Sequence, residues 1–291
     1  MSTAKFALLG HPLAHSMSPF LHQKLFEAAG VQASYELLDA APEELDASVE
    51  RLREFDGFNI TIPYKQSILP YLDEVDGTAS FFGSVNTVKN EGGRLIGCST
   101  DGDGFLFALR AAGVSCKGSL LLLGCGGASR AMGGTALLAG ASSILVAARH
   151  PDRAQPLLAD LRSLAKDRGL TCEIRAQSFD ELENGTQEHW DLLVNGTPVG
   201  MHPHTDGCPV SEQVVSRCGA VFDAVYNPDE TVLLQTAERL GKTAVHGIGM
   251  LCGQAAVSEE FWGLPACDTN SLLRLCREAV DEMNRRFGEG A

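Results

Sequence analysis

The stretch Ser119-Leu-Leu-Leu-Leu-Gly-Cys-Gly-Gly-Ala-Ser-Arg-Ala131, SLLLLGCGGASRA, decides the fold. Four consecutive leucines read as a strand buried on both faces, the kind that a parallel sheet needs. A glycine cluster then turns the chain, and a helix runs on through Leu138 before a second apolar run, Ile144 to Ala148, reads as the next strand. Strand, glycine turn, helix and strand make a βαβ unit. Such a helix N-terminus offers backbone N–H groups to an anion, and Gly124, Gly126, Gly127 and Ala128 let the backbone approach a dinucleotide pyrophosphate. Ser129 at the sixth position departs from the GxGxxG pattern, and a tight turn holding no ligand fits the same residues.

Residues just beyond the second strand bear on the ligand. An NAD site places Asp or Glu there to meet the ribose hydroxyls. This chain has Ala147-Ala-Arg149-His-Pro-Asp-Arg153 instead, and two guanidinium groups suit a 2′-phosphate. NADP is therefore favoured over NAD, with two solvated arginines as the alternative. Further strands are expected at Cys172 to Arg175, Leu192 to Asn195, Val221 to Ala224 and Thr243 to Val245. Leu272, Cys276, Ala279, Met283 and Phe287 recur at helical spacing, so Ser271 to Phe287 reads as a final helix.

Upstream, the first hundred residues alternate in the same manner. Phe6 to Leu9 reads as a strand, and a helix comes after it with Ser18 as N-cap, Pro19 at its first position and Gly30 as terminator. A strand at Tyr35 to Leu38, a helix from Pro42 to Phe55 and a strand Phe58 to Ile62 halted by Pro63 come next. Val85 to Lys89 and Arg94 to Cys98 read as a hairpin around Asn90 to Gly93. The pattern implies a mostly parallel sheet with an antiparallel edge. The hairpin runs into Gly97-Cys-Ser-Thr-Asp-Gly-Asp-Gly104. Counted from Asp101, the fifth and twelfth positions of a calcium loop would be Phe105 and Ala112, which cannot ligate, so that reading fails.

Lys plus Arg is 23 against 37 Asp plus Glu, a net charge of −14 that repels polyanions; nucleic acid is not an expected partner. Nine cysteines with no CxxC pair argue for reduced thiols. His202, His204 and Cys208 could be drawn as a metal site, but a Gly/Pro-rich loop fits them better. His11 and His15 have Pro12 between them and no evident carboxylate neighbour, so no metal is expected there either. Neither a signal segment nor an apolar run long enough to span a bilayer is evident, and the expectation is a cytoplasmic protein with no membrane partner.

The order of motifs along nearly the whole chain resembles the shikimate dehydrogenase family. Gly10-His-Pro-Leu-Ala-His-Ser16-Met-Ser18-Pro19 is similar to its paired-serine segment, Asn59-Ile-Thr61-Ile-Pro63-Tyr-Lys65 to its lysine segment, and Ser84-Val-Asn86-Thr87 to its next polar strand. Gly97 to Gly104 falls at its Gly-x-Asn-Thr-Asp-Gly signature, with Ser99 where Asn is usual. Gly124 to Ala131 matches its GxGGAxxA turn, while Ala148 replaces the Asn that usually precedes the NADP-loop arginine. Asn195-Gly-Thr197-Pro-Val-Gly200-Met201, Asp223-Ala-Val-Tyr226-Asn-Pro228 and Gly247-Ile-Gly249-Met250-Leu-Cys-Gly-Gln254-Ala255 come in family order.

The resemblance implies a two-domain α/β fold: an N-terminal α/β substrate domain with a mostly parallel sheet and a Rossmann-like NADP-binding domain. The substrate domain would span 1–101, completed by 248–291, with the NADP domain at 102–247. Also implied is NADPH-dependent reduction of 3-dehydroshikimate to shikimate, with Lys65 and Asp101 as the catalytic pair. Ser16, Ser18, Asn59, Thr61, Asn86, Tyr226 and Gln254 would bind substrate. Gly124, Gly126, Gly127, Ala128, Arg149, Arg153, Asn195, Thr197, Gly247 and Met250 would bind NADP. A relative preferring quinate or an amino-substituted ring, with NAD, is the nearest alternative. A non-catalytic nucleotide-binding protein is the more distant one, against which an intact Lys65 and Asp101 argue. A monomer or a homodimer is expected.

Overall fold

The computed structural model describes residues 3–185 and 188–287. The chain divides into two compact units, residues 1–100 with 252–291, and residues 101–251.

In the first unit, β1 (Ala4–Gly10), α1 (Ser18–Ala29), β2 (Ala33–Asp39), α2 (Leu45–Leu52) and β3 (Gly57–Ile60) alternate, followed by β4 (Glu74–Val75), α3 (Gly77–Phe82), β5 (Thr87–Glu91) and β6 (Arg94–Cys98). The sheet order is β2-β1-β3-β5-β6-β4. β1 pairs parallel with β2 and β3, and β4 with β6, whereas β5 runs antiparallel to both β3 and β6; the sheet is mixed, but its antiparallel strand is internal, and the expected antiparallel edge is not found. Alternation places Ala7 and Leu9 of β1 in a core with Val49, Leu52, Phe58 and Val88, while Phe6 faces the other side and stacks on Trp262 at 4.3 Å. Trp262 is fixed there by its Nε1–H donating to the Val88 carbonyl at 2.9 Å.

Local details depart from the expected ones for identifiable reasons. Gly30 ends α1 in the left-handed region, φ 65°, as a terminator should, but the N-cap is Met17 and makes no side-chain bond. Ser18 is already helical, and its backbone N–H donates to Ser16 Oγ at 3.3 Å, so the capping oxygen comes from two residues upstream. Pro42–Glu44 forms a 3₁₀ turn before α2, which stops at Leu52. β3 stops at Ile60 because Thr61 turns back, its carbonyl accepting from the Tyr64 N–H at 2.9 Å. The two-residue β4 and the short α3 carry no periodicity that a sequence pattern could register.

In the second unit, α4 (Asp101–Ala111) precedes β7 (Ser119–Leu123), α5 (Gly127–Leu138), β8 (Ser143–Ala148), α6 (Gln155–Asp167) and β9 (Glu173–Ser178). After these come α7 (Phe179–Asn184), β10 (Trp190–Asn195), α8 (Glu212–Ser216), β11 (Cys218–Asp223), α9 (Val232–Arg239) and β12 (Thr243–Val245). The six strands lie in the order β12-β11-β10-β7-β8-β9, with every pair parallel. The order in which strands are added reverses between β7 and β10, the switch point outside whose carboxyl ends a doubly wound sheet binds ligands. The tetraleucine is as buried as its pattern demands, Leu121 and Leu123 meeting Leu193, Val221 and Leu233.

Gly102 serves the packing of one helix on another. It lies inside α4, and a Cβ there would sit 2.2 Å from Thr135 Oγ1 of α5; its missing side chain lets two helices approach. The chain ends in α10 (Gly247–Phe261) and α11 (Thr269–Phe287). α11 turns Leu272, Ala279 and Met283 inward as read from the sequence, with Leu275 buried in place of the expected Cys276, which is half-buried like Phe287. Among the described residues no helix is long and apolar enough to cross a membrane, and no disulfide joins any of the nine cysteines.

Candidate active site

In the first unit, the loop between β1 and α1 carries Ser16 and Ser18, both half-buried. Asp39 at the end of β2 pins this loop, accepting from the Leu13 N–H at 2.9 Å and bonding His11 Nδ1 at 2.7 Å. These bonds, the Leu13 amide foremost, hold the Asp39 carboxyl below its usual range. His11 thus has a carboxylate neighbour, contrary to the reading of the sequence. Thr61 comes directly after β3, its N–H donating to the Leu9 carbonyl at 2.9 Å. Lys65 is half-buried in the next turn, where its carbonyl accepts from the Val85 N–H at 2.8 Å, so its backbone is held by the start of the neighbouring hairpin.

A net of neutral polar groups runs across the ends of β3, β5 and β6 to α10. Asn59 Nδ2 donates to the Asn86 carbonyl at 3.2 Å, to Thr87 Oγ1 at 3.0 Å and to Ser258 Oγ at 3.0 Å. Asn59 Oδ1 accepts from the Tyr35 hydroxyl at 2.7 Å. Asn86 Oδ1 accepts from the Thr100 N–H at 2.9 Å, which turns its Nδ2 toward Thr100 Oγ1 at 3.0 Å and Gln254 Oε1 at 3.2 Å. Behind this row, His22 Nδ1 and Glu259 Oε1 are 3.0 Å apart, at 2% and 3% side-chain exposure. Burial lowers the His22 pKa to about 3 and raises that of Glu259 to about 9. Ser99 is buried too, and its Oγ has no hydrogen-bond partner among the described residues.

In the second unit, the turn after β7 is built as a βαβ anion site requires. Gly124 adopts φ 90°, and a Cβ there would meet Thr197 Cγ2 at 2.9 Å. Ser129, fully buried, packs where a Cβ on Gly196 would approach within 2.3 Å, so the hydroxyl fills the space that a third glycine would leave. Gly126, the N-cap of α5, and Gly127 have nothing within 4 Å of a built Cβ; their backbone faces open space. Asn195 at the end of β10 is fully buried, donating to Asp223 Oδ1 at 2.9 Å and accepting from Thr197 Oγ1 at 2.7 Å. Its side chain shapes the loop after β10 from below.

Asp223 also accepts from Thr231 Oγ1 at 2.7 Å, and burial still leaves its pKa raised. Tyr226, half-buried, has its phenol pushed up by burial. Arg149 and Arg153 are exposed just beyond β8, Met250 is buried, and Gly247 lies under three backbone carbonyls.

The structure therefore gathers Asn59, Asn86 and Gln254 into one net and Gly124, Asn195 and Thr197 into another. Lys65 belongs to the first unit; Asp101, 5% exposed, opens α4 in the second. Sequence reasoning missed Tyr35, Thr87, Thr100, Ser258, His22 and Glu259. Glu259 left one signal: with Cys252, Ala255 and Ala256 it occupies the buried face of α10, a carboxyl in an apolar stripe.

Comparison with known proteins points one way. Residues 8–88 match the model for the shikimate dehydrogenase substrate binding domain. A shikimate dehydrogenase (NADP(+)) of Caldanaerobacter subterraneus is 38% identical over 90% of this chain and 92% of its own. One from Methanothermobacter thermautotrophicus is 40% identical over 88% and 89%. The shikimate 5-dehydrogenase of Thermus thermophilus, solved with NADP(H) and shikimate, superposes with a TM-score of 0.82 at 35% identity, covering 95% of this chain and all of that one, 100%. That of Listeria monocytogenes, solved with shikimate and NAD, gives 0.83 at 29% identity, covering 94% and 96%. Fold and matches together define the class, a two-domain α/β oxidoreductase with a Rossmann-type sheet that uses a nicotinamide cofactor. Within that class, the chain belongs to the shikimate dehydrogenase family.

Proposed function

We propose that the chain is a shikimate dehydrogenase that interconverts 3-dehydroshikimate and shikimate with NADP(H), on the route to chorismate and the aromatic amino acids. The observation that carries this reading is the neutral net of Asn59, Asn86, Thr100 and Gln254. A polyhydroxylated ring needs donors and acceptors in alternation, and amides with hydroxyls supply both without a buried charge. With Gln254 Oε1 turned to Asn86, its Nε2 is the end that donates to a ligand oxygen.

Ser16 and Ser18 take the ring carboxylate, which competes with Tyr35 for the Ser18 proton. Thr61 and Tyr226 contribute further hydroxyls. The Lys65 ammonium hydrogen-bonds the carbonyl oxygen and supplies the proton as charge develops there. The Asp101 carboxylate orients it and accepts from the ring hydroxyl.

Residues 1–101 with 248–291 act as the substrate domain and 102–247 as the cofactor domain. The open backbone at Gly126 and Gly127, beside Gly124 and Ala128 at the N-terminus of α5, fits a pyrophosphate. Arg149 and Arg153 fit a 2′-phosphate, while Asn195, Thr197, Gly247 and Met250 shape the remaining wall. NADP, when bound, exchanges a hydride with the ring carbon.

The test is initial rates with shikimate and quinate, each with NADP and NAD. Shikimate with NADP should give the highest kcat/KM by at least tenfold, about 1.4 kcal/mol of transition-state discrimination. Comparable or faster turnover of quinate with NAD overturns the assignment.

A further inference from the structure

Behind the polar row lies a buried acid and imidazole that the proposed chemistry does not use. His22 on α1 and Glu259 on α10 meet with Nδ1 and Oε1 3.0 Å apart, almost wholly out of solvent. The His22 ring also stacks on Tyr35, at 4.2 Å between centroids and 11° between planes, and the Asn59 side chain hydrogen-bonds that ring.

Counting donors fixes who holds which proton. The Asn86 carbonyl can only accept, so the Asn59 atom facing it at 3.2 Å is the amide nitrogen. Asn59 Oδ1 is then the acceptor, for the Tyr35 hydroxyl and for the ring of His22. Glu259 occupies Nδ1, so the nitrogen that donates to Asn59 is Nε2–H. A neutral imidazole has one N–H, which leaves Nδ1 an acceptor, and an acceptor facing Glu259 requires Glu259 to be the donor. The other arrangement, imidazolium against carboxylate, would bury two charges at this depth. The other titratable groups that interact with Glu259 are Tyr35 on β2 and, beyond α10, Cys267, while Glu260 is its neighbour on α10.

We propose that Glu259, as the neutral acid, and His22, as the Nε2–H tautomer, are positioning residues that lock the Asn59 amide and thereby set Asn86 and Gln254 for the substrate. The proton order is Glu259 O–H to His22 Nδ1, His22 Nε2–H to Asn59 Oδ1, and Asn59 N–H to the Asn86 carbonyl. Asn59 has both amide hydrogens committed to Asn86, Thr87 and Ser258, so it acts through Asn86 and does not reach the ring itself. This assigns Asn59 a role other than the ligand contact implied by family resemblance.

The inference rests on the substrate reading above, and two measurements separate them. Long-range ¹⁵N–¹H spectra of the full chain report the His22 tautomer with no substrate present. Expected is a neutral ring protonated at Nε2 from pH 5 to 8; protonation at Nδ1, or a doubly protonated ring at pH 7, overturns the proposal. Steady-state kinetics then compare two variants. Glu259→Gln keeps a donor toward Nδ1 and should hold KM for shikimate within about twofold, whereas Glu259→Leu leaves Nδ1 unsatisfied and should raise it about tenfold, with KM for NADP unchanged. Equal effects of the two variants, or a loss of thermal stability with no KM split, also overturn it. If Glu259→Leu does not fold, the wild-type and Glu259→Gln spectra still decide. A wild-type enzyme that ignores shikimate would sink the substrate reading and leave the tautomer result standing.

Discussion

Gly247 and Gly126 both belong to the proposed cofactor side, yet replacing each with alanine should produce opposite losses. A Cβ on Gly247 would lie 2.6 Å from the Val225 carbonyl oxygen, 2.7 Å from that of Asp223 and 2.8 Å from that of Ala224. Ordinary contact is about 3.5 Å, and no rotamer change moves a backbone oxygen. These oxygens lie at and just past the end of β11, which is held by Asn195, Thr231 and the Val225 N–H on the Asp223 carboxyl. Overpacking costs about 1–3 kcal/mol, and three rigid contacts place this case at the top of the range. The helical preference of alanine returns at most about 1 kcal/mol. The net destabilisation of about 2 kcal/mol corresponds to a Tm lower by about 4–8 °C for a unit of this size. Gly126 has nothing within 4 Å of a built Cβ, so Gly126→Ala should leave Tm within about 1 °C and weaken NADP at least about tenfold by blocking backbone approach. Calorimetry and cofactor titration on the two variants check both. A Gly247→Ala protein with wild-type Tm, or a Gly126→Ala protein with wild-type affinity, refutes the reasoning at that glycine.

Three further outcomes are expected. Lys65→Ala should lower kcat by about 10²–10⁴-fold while NADP titrates normally; near-normal turnover removes Lys65 from the mechanism. Ser99→Ala deletes a buried hydroxyl that has no partner among the described residues, so chemical denaturation should show stability unchanged or raised by about 1 kcal/mol; a clear loss would mean that the hydroxyl is bonded. Stability should also fall as pH rises from 6.5 toward 9. Burial raises Glu259 from its ordinary 4.5 to about 9, so between these values the folded chain holds a proton that the unfolded chain has released. His22, lowered by burial to about 3 from 6.5, works the other way: its contribution is complete above 6.5 and lost as pH falls toward 3. Glu259→Gln should flatten the alkaline slope of a Tm-against-pH curve, and an unchanged slope would place Glu259 outside it.

The elements legible in the sequence were those whose determinants lie close together along the chain. β7, the Gly124–Ala128 turn and α5 are specified by thirteen adjacent residues from Ser119 to Ala131, each step local: a leucine run, a positive-φ glycine, a helix of small residues. α11 was legible because its inward positions repeat within one helix. Ser18 failed as an N-cap because Ser16 supplies the capping oxygen, a contact no propensity scale encodes. Gly102 carries no such local signal, because a glycine needed for helix approach looks, in one dimension, like a glycine needed for a turn.

The polar net was illegible for a stronger reason. Its bonds join residues far apart in sequence, His22 to Glu259 across 237 positions and Asn59 to Ser258 across 199. No local pattern says that a glutamate on one helix and a histidine on another share a proton. What a sequence can carry is the anomaly: Glu259 sits where Cys252, Ala255 and Ala256 make the stripe apolar, and an ionised carboxylate there would cost more than the helix gains by packing. Such a residue has to be either neutral or paired. Since a neutral carboxylic acid is a donor as well as an acceptor, its presence in a buried stripe implies an acceptor opposite, and His22 Nδ1 is that acceptor. The family motifs point to the groups proposed to meet a ligand; the acid in the stripe points to the group proposed to decide which way the Asn59 amide faces.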